Sequence, residues 1–348
     1  MTERAPAVHV LRATPQTCFW GFFDRSLPPV LTIRSGDIVN VETLTHQAGD
    51  APDVMMDDGV RGVYDGIPPS ERGPGVHIMT GPIAVEGARA GDTLEVRILA
   101  MSPRLPYGTN IGAWWGYLYD EMRKERITIY HVDLASGSAR AAFAFDYNHT
   151  AKYDAPGTLI PPERTVRVPA LAGVRVPLRP HFGVMGVAPA ESGKVNSIPP
   201  RDFGGNVDNW RVGPGATMYY PVQCDGALFF VGDPHMAEGD GELSGTAIES
   251  SANGSLQITV RRDVPTDSPL LETGTHWYTH GFGADLDEAM RQAALRMLAF
   301  LGQRYRLSRD DAYSLVSVAG DFGVTQVVDQ RQGVHCGIPK AAFPPPGR

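Results

Sequence analysis

Cysteine is scarce in this chain: Cys18, Cys224 and Cys336 stand far apart, and none lies in a Cys-x-x-Cys spacing. That argues against a disulfide framework and against a thiolate zinc site, and it fits a reducing, cytoplasmic setting. Long apolar runs are missing too. No window approaches eighteen apolar residues, so no membrane span is expected. The opening MTERAPAVHVLRATPQT has no basic start followed by an apolar core, so it does not read as a signal peptide. Basic residues are not in excess. With 31 Lys and Arg against 39 Asp and Glu the net charge is −8, and such a chain repels a phosphate backbone, so no nucleic-acid partner is expected. There is no Gly-x-Ser-x-Gly elbow and no Walker-type loop. GFGAD at 281–285 opens a helix but follows no clear buried strand, which argues against dinucleotide binding. Cys224, ahead of Asp225-Gly226, reads as a strand cysteine, and Ser244 is a minor nucleophile candidate.

Glycine and proline, by contrast, are plentiful. The 39 glycines and 29 prolines are dispersed and punctuate many short strands. This favours a mainly β fold, a sandwich or barrel-like architecture, with a few added helices in the C-terminal third. VLTI, Arg-Ser-Gly-Asp, IVNVETLT at 30–45 reads as strand, turn, strand, and 82–99 repeats the pattern around Ala88-Arg89-Ala90-Gly91. Each is expected to form a hairpin-like unit. Residues 46–79 read as a long loop, and 105–120 as an aromatic plug carrying Trp114, Trp115, Tyr117 and Tyr119. ITIYHVDL, AAFAFDY, VRVPL and LQITVR continue the β pattern. Asp285 and Glu288 form a capping-box pattern ahead of Leu286, Ala289, Met290, Ala293, Met297 and Leu301, and Ser308 with Asp311 starts a shorter helix that stops near Gly320. Two regions are read, 1–180 and 181–348, with an approximate boundary that leaves room for one compact unit.

The chemistry concentrates at 226–249. An apolar strand, Gly-Ala-Leu-Phe-Phe-Val, runs into a Gly/Pro-broken loop that carries Asp233, His235, Glu238, Asp240 and Glu242. Carboxylates packed this closely repel one another and resist desolvation unless a cation, a shared proton or a substrate compensates. Asp233-Pro234-His235 is a rigid kink whose imidazole and carboxylate suit zinc or another borderline divalent ion. Asp240 and Glu242 flank Gly241 and can converge in a tight turn, one orienting a small molecule while the other acts as general base. Gly204-Gly205-Asn206-Val207-Asp208 allows close backbone approach and supplies oxygen donors. His77, His181 and His46 are each read as structural histidines or, for His46, as a further ligand. His276, His280 and His335 read as structural or as near subunit contacts.

The string GDPHMAEGDGELSGTAIE resembles the signature of the acetamidase/formamidase family. TGPIAVEGARAGDTLEV at 80–96, HFGVMGVAPA at 181–190, FGGNVD at 203–208 and GVHCGIPK at 333–340 fit the same family in the same order. The resemblance implies β-sandwich and barrel-like domains with added helices, a homo-oligomer, and an enzyme that cleaves formamide, acetamide or a similar short amide to carboxylate and ammonia. On that reading Asp208, Asp233 and His235 hold a divalent metal, zinc with calcium as the alternative. Glu242, Glu86 and Asp240 form the catalytic set, and His77 and Asn206 bind substrate. A metal-free route would use Glu86 or Glu242 as base with a backbone oxyanion hole. The rival readings are a lactamase or hydrolase of a larger amide, and a non-catalytic binding protein stabilised by calcium.

Overall fold

The computed structural model describes residues 5–147 and 156–344. Two large sheets dominate it. The nine-stranded sheet runs, in spatial order, Val8–Leu11, Ile38–Thr43, Ala252–Arg261, Thr93–Pro103, Thr217–Pro221, Leu270–Glu272, His276–Gly283, Gln332–Pro339 and Asp321–Val324. The six-stranded sheet runs Gly204–Asn206, His181–Val187, Phe229–His235, Ile78–Val85 and Cys18–Trp20, with Leu31–Ile33 pairing parallel to Ile78–Val85. Between them lies the main core. Val39, Val41, Leu94, Val96, Leu256 and Ile258 come from one sheet, and Met79, Ile83, Phe182, Val184, Phe229 and Phe230 from the other. Each such side chain contributes about 1.5–3 kcal/mol by leaving water. Strands from before and after residue 180 interleave in both sheets.

The two strand–Gly–strand units are not hairpins. Leu31–Ile33 lies in the six-stranded sheet while Ile38–Thr43 lies in the nine-stranded one, and Ile78–Val85 and Thr93–Pro103 divide in the same way. Each turn therefore carries the chain from one sheet to the other. Gly36 and Gly91 adopt φ near 92° and 94°, a region that glycine enters without a Cβ penalty. Their amides bond to Ile258 O and Val222 O, on segments outside the unit. Alternation alone does not distinguish this arch from a hairpin, because either geometry buries one face of each strand.

Residues 46–79 also depart from the loop reading. They hold the short helices Pro52–Met55 and Asp58–Gly66, the second capped by Asp57, whose carboxylate accepts from Val60 N at 2.9 Å. Val60, Val63 and Tyr64 are buried on one side, a helical spacing masked in the sequence by Gly59, Gly62 and Gly66. A four-stranded sheet, Val176–Pro177, Ser138–Asp146, Arg126–Asp133 and Tyr107–Gly112, contributes Ile111, Ile127, Ile129 and Phe145 to the same secondary core. Cys224 sits in a half-buried turn beyond the strand Thr217–Pro221 rather than in a strand.

The C-terminal helices follow their caps. Asp285 accepts from Glu288 N at 2.8 Å ahead of Leu286–Tyr305, and Ser308 Oγ accepts from Asp311 N at 3.1 Å ahead of Arg309–Ala319. Ala289, Ala293, Met297 and Leu301 pack on Trp277, Val334 and Ile338. Gly281 makes this close approach feasible, since a Cβ there would lie 2.0 Å from Ala289 O. GFGAD does follow a strand, His276–Gly283, but that strand pairs antiparallel with Gln332–Pro339 and so builds no dinucleotide-binding unit. No helix among the described residues is long and apolar enough to cross a membrane.

Candidate active site

The strand that begins as Phe-Phe-Val continues through Gly-Asp-Pro-His, so Asp233 and His235 belong to the strand Phe229–His235 and not to a loop. The neighbouring strand His181–Val187 pairs antiparallel, with His181 opposite His235. Because side chains alternate along a strand, Asp233 and His235 share a face with His181 and with the position of Gly183. Gly183 presents no side chain on that face, and the neighbouring side chains pack directly on its backbone. A Cβ at this residue would lie 2.5 Å from Asp208 Oδ1, 2.7 Å from His235 Cε1 and 2.8 Å from Asp233 Oδ2. The three residues read as metal ligands thus crowd against one backbone position on the sheet.

Asp208 reaches this point from the strand Gly204–Asn206, which pairs with the far side of His181–Val187. Val207 N and Asp208 N both donate to Gly183 O, at 3.0 and 3.4 Å. Asp208, Asp233 and Glu242 all hold left-handed backbone conformations, with φ of 46°, 50° and 45°. Residues other than glycine enter this region at an expense of order 1–3 kcal/mol each, and such strain gathers at functional sites. The surrounding sheet holds them there.

Four imidazoles and five carboxylates are buried together: His46, His77, His181 and His235 with Asp208, Asp233, Glu238, Glu242 and Glu249. His235 Nε2 lies 3.2 Å from both Asp233 Oδ2 and Glu249 Oε2. His181 Nδ1 donates to Arg179 O at 2.6 Å, which leaves its Nε2 facing Glu238 Oε2 at 2.8 Å and His235 Nδ1 at 3.0 Å. On the other side, His46 and His77 meet edge to face and approach Asp233 at 3.8 and 3.7 Å. Half-buried Asp329 accepts from Asn206 Nδ2 at 3.0 Å and adjoins Asp208.

The titration of the group follows from this crowding. Burial, then the charges of Glu242 and Asp329, raises Asp208 well above the usual carboxylate range. Burial, then Asp329 and Glu238, does the same to Glu242. Glu249 and Asp329 are each pushed by enclosure up to about 7. Asp233 is the exception: burial would raise it, but His77, His235 and His46 outweigh burial and hold it well below the usual range. His235 is pulled down by burial, but the neighbouring carboxylates of Glu249 and Asp233 outweigh burial and raise it well above the usual imidazole range.

So many buried carboxyl groups call for positive charge. No N–H or hydroxyl reaches either oxygen of Asp208, and Asp233 Oδ1, Glu238 Oε1 and Glu249 Oε2 also make no hydrogen bond among the described residues. Four overlapping triads place ligand atoms within 4.8 Å of one another: His46, His77 and Asp233; His181, His235 and Glu238; Asp208, His235 and Glu242; Asp233, His235 and Glu249. This donor set fits a divalent cation.

Two residues of the expected catalytic set lie elsewhere. Glu86 is exposed in the turn after Ile78–Val85, where its amide bonds to Ile33 O. Asp240 is exposed and binds Arg211 Nη1 at 3.0 Å and Trp210 Nε1 at 2.8 Å. The Gly241 turn, at φ 101°, separates Asp240 from Glu242 rather than bringing them together, because Gly241 N is tied to Thr325 O. His77 and Asn206 do reach the cluster, on Asp233 and Asp329. Ser244 only supports a turn, accepting from Asn110 Nδ2 at 2.9 Å. Ser197 is fully buried, bonded to His77 Nδ1 at 2.9 Å and packed against the backbone of Gly75.

The sequence reading missed Glu249 and Asp329 and gave no role to Glu238 or His181. Glu249 follows Ala-Ile in an apolar context, and that was a usable signal: a carboxylate directly after a buried pair. Asp329 had none, since Val-Val-Asp-Gln-Arg-Gln-Gly has the composition of an ordinary turn.

A profile of the Acetamidase/Formamidase family matches residues 16–194 and 190–344. A formamidase of Methylophilus methylotrophus is 25% identical over 360 residues, covering 87% of this chain and 84% of that protein. An acetamidase of Mycolicibacterium smegmatis is 31% identical over 201 residues, 48% of this chain and 49% of that protein. The crystal structure of an acetamidase from Bacillus halodurans superposes with a TM-score of 0.75 at 29% identity, covering 96% of this chain and 98% of that one.

Proposed function

Since this chain belongs to the acetamidase/formamidase family, we propose that its buried His–carboxylate cluster hydrolyses a short linear amide, formamide, acetamide or a close relative, to carboxylate and ammonia. The observation that carries the site assignment is the convergence of Asp208, Asp233 and His235 on the bare backbone of Gly183, within overlapping triads of buried ligand atoms. These three residues would hold a divalent metal. Imidazole in the donor set favours zinc over calcium, which prefers oxygen alone. When bound, such an ion polarises an amide carbonyl and acidifies water.

The remaining steps belong to side chains. Glu242 lies with Asp208 and His235 and carries a raised proton affinity. One of its carboxylate oxygens takes the proton of the attacking water. The same group returns it to the leaving nitrogen, which departs as ammonia. His77, on the far side of Asp233, orients the substrate, and Asn206 does so from beside Asp329. The reading also includes a homo-oligomer in the cytoplasm, to be checked by light scattering and fractionation.

The test measures ammonia release from formamide and acetamide and the metal content of the same sample, before and after chelation. Activity that falls with metal and returns with zinc is the expected result. Full activity in metal-free protein would overturn the metal assignment, and a metal-loaded protein that releases no ammonia from these or any other short linear amide would overturn the amidase reading.

A further inference from the structure

A surface cavity of about 350 Å³ lies beside the cluster; among the described residues Glu238, whose side chain is 1% exposed and bonded to His181, is the one cluster residue in its wall. Tyr130, Val176 and Ile248 give it an apolar wall, and Arg179 stands in its lining. Its volume lies within the range of pockets for drug-sized ligands, roughly 300–1,000 Å³, and is far more than acetamide fills.

Arg179 is exposed and stacked on an indole. Its guanidinium lies 4.3 Å over the ring of Trp210, and that of Arg211 lies 4.2 Å over the same ring. Asp240 binds both Arg211 and Trp210 Nε1, so Arg211 is neutralised. Arg179 is not: among the described residues its guanidinium has no carboxylate partner and makes one long bond, 3.5 Å, to the backbone carbonyl of Glu238. The indole steadies the guanidinium plane by stacking and uses none of its N–H groups, which stay free to hold a carboxylate two-pronged. An anionic substrate entering here would meet repulsion from the buried carboxylates, and Arg179 offsets that repulsion beside the cluster.

We infer that this cavity takes the distal carboxylate of an amide that also carries an acid, the monoamide of a short dicarboxylic acid, with Arg179 as the specificity-determining residue and the amide directed at the cluster. The inference rests on the amidase reading and narrows its substrate class. Hydrolysis consumes one water and yields the dicarboxylate and ammonia.

The experiment compares kcat/KM for succinamate with that for butyramide, an uncharged amide of equal chain length, in the purified, metal-loaded protein. A preference for succinamate of roughly 10- to 100-fold is expected, the scale of one charge-assisted hydrogen bond. It should shrink with added salt, fall to near one in Arg179→Met, and recover in part in Arg179→Lys. Succinate binding, followed by tryptophan emission because Trp210 touches Arg179, supplies a readout independent of turnover. Ammonia from both amides with a ratio near one would overturn this inference and leave the amidase reading standing. Ammonia from neither, with succinate still bound in an Arg179-dependent way, would overturn the amidase reading and keep the carboxylate site. Loss of both signals would overturn both.

Discussion

The two ends of the strand Phe229–His235 are equally buried and chemically opposite. Phe229, Phe230 and Val231 sit at 0% exposure in the apolar core between the sheets. Asp233 and His235, two and four residues on, are at 3% and 0%, yet they face carboxylates and imidazoles. Burial at the first end stabilises the fold without further conditions, since each ring leaves water for other rings. Burial at the second end desolvates charge, and it holds only where opposite charge or a bound cation compensates. The sandwich thus supplies a rigid mount, and the strand's final turn of chemistry is paid for by that mount.

Substitutions can break or sharpen this contrast. The largest effect is expected at His235→Ala, which removes the imidazole shared by three of the four ligand triads. Ammonia release should fall by at least about 10³, beyond the middle of the range for losing one acid–base group. The variant should stay folded at reduced melting temperature, as circular dichroism would show; near-normal turnover would make His235 structural. Glu242→Gln keeps shape and removes the proton acceptor, so turnover should fall roughly 10²- to 10⁴-fold with metal content retained. Turnover and metal measured together decide this case, and loss of both would make Glu242 a ligand. Phe230→Ala, at the other end of the same strand, should do the reverse. It should lower stability by about 3–5 kcal/mol in denaturant titration and leave turnover per folded molecule near the parent value. The smallest effects belong to the exposed carboxylates. Glu86→Ala should shift stability by no more than about 0.5 kcal/mol and leave turnover unchanged, a result at odds with its expected catalytic place.

The comparison also marks how far the sequence reading reached. The starts of the C-terminal helices were legible to the residue, because Asp285 and Ser308 are local caps that bond three positions ahead in the same segment. Asp233 and His235 were legible as a pair because carboxylate and imidazole in a Gly/Pro-broken run are poor packing material, whereas Asp208, in the separate run 204–208, was joined to them through the family resemblance. Asp240 and Glu242 were not separable, since their fates depend on Gly241 bonding to Thr325, more than eighty residues away in the chain.

What the sequence determined by itself is therefore local: strand alternation, caps, turn glycines, and the chemical character of one short run. Tertiary structure decided which strands share a sheet. It sent the turns at Gly36 and Gly91 between sheets instead of back along one. It also brought His46, His77, His181, Glu249 and Asp329 from distant segments to Asp233 and His235. The physical reason is that a sheet face is completed by its neighbours. Gly183 is an ordinary strand glycine in the sequence. Only when Asp208 and the strand Phe229–His235 pack against it does its missing side chain become the floor of a site.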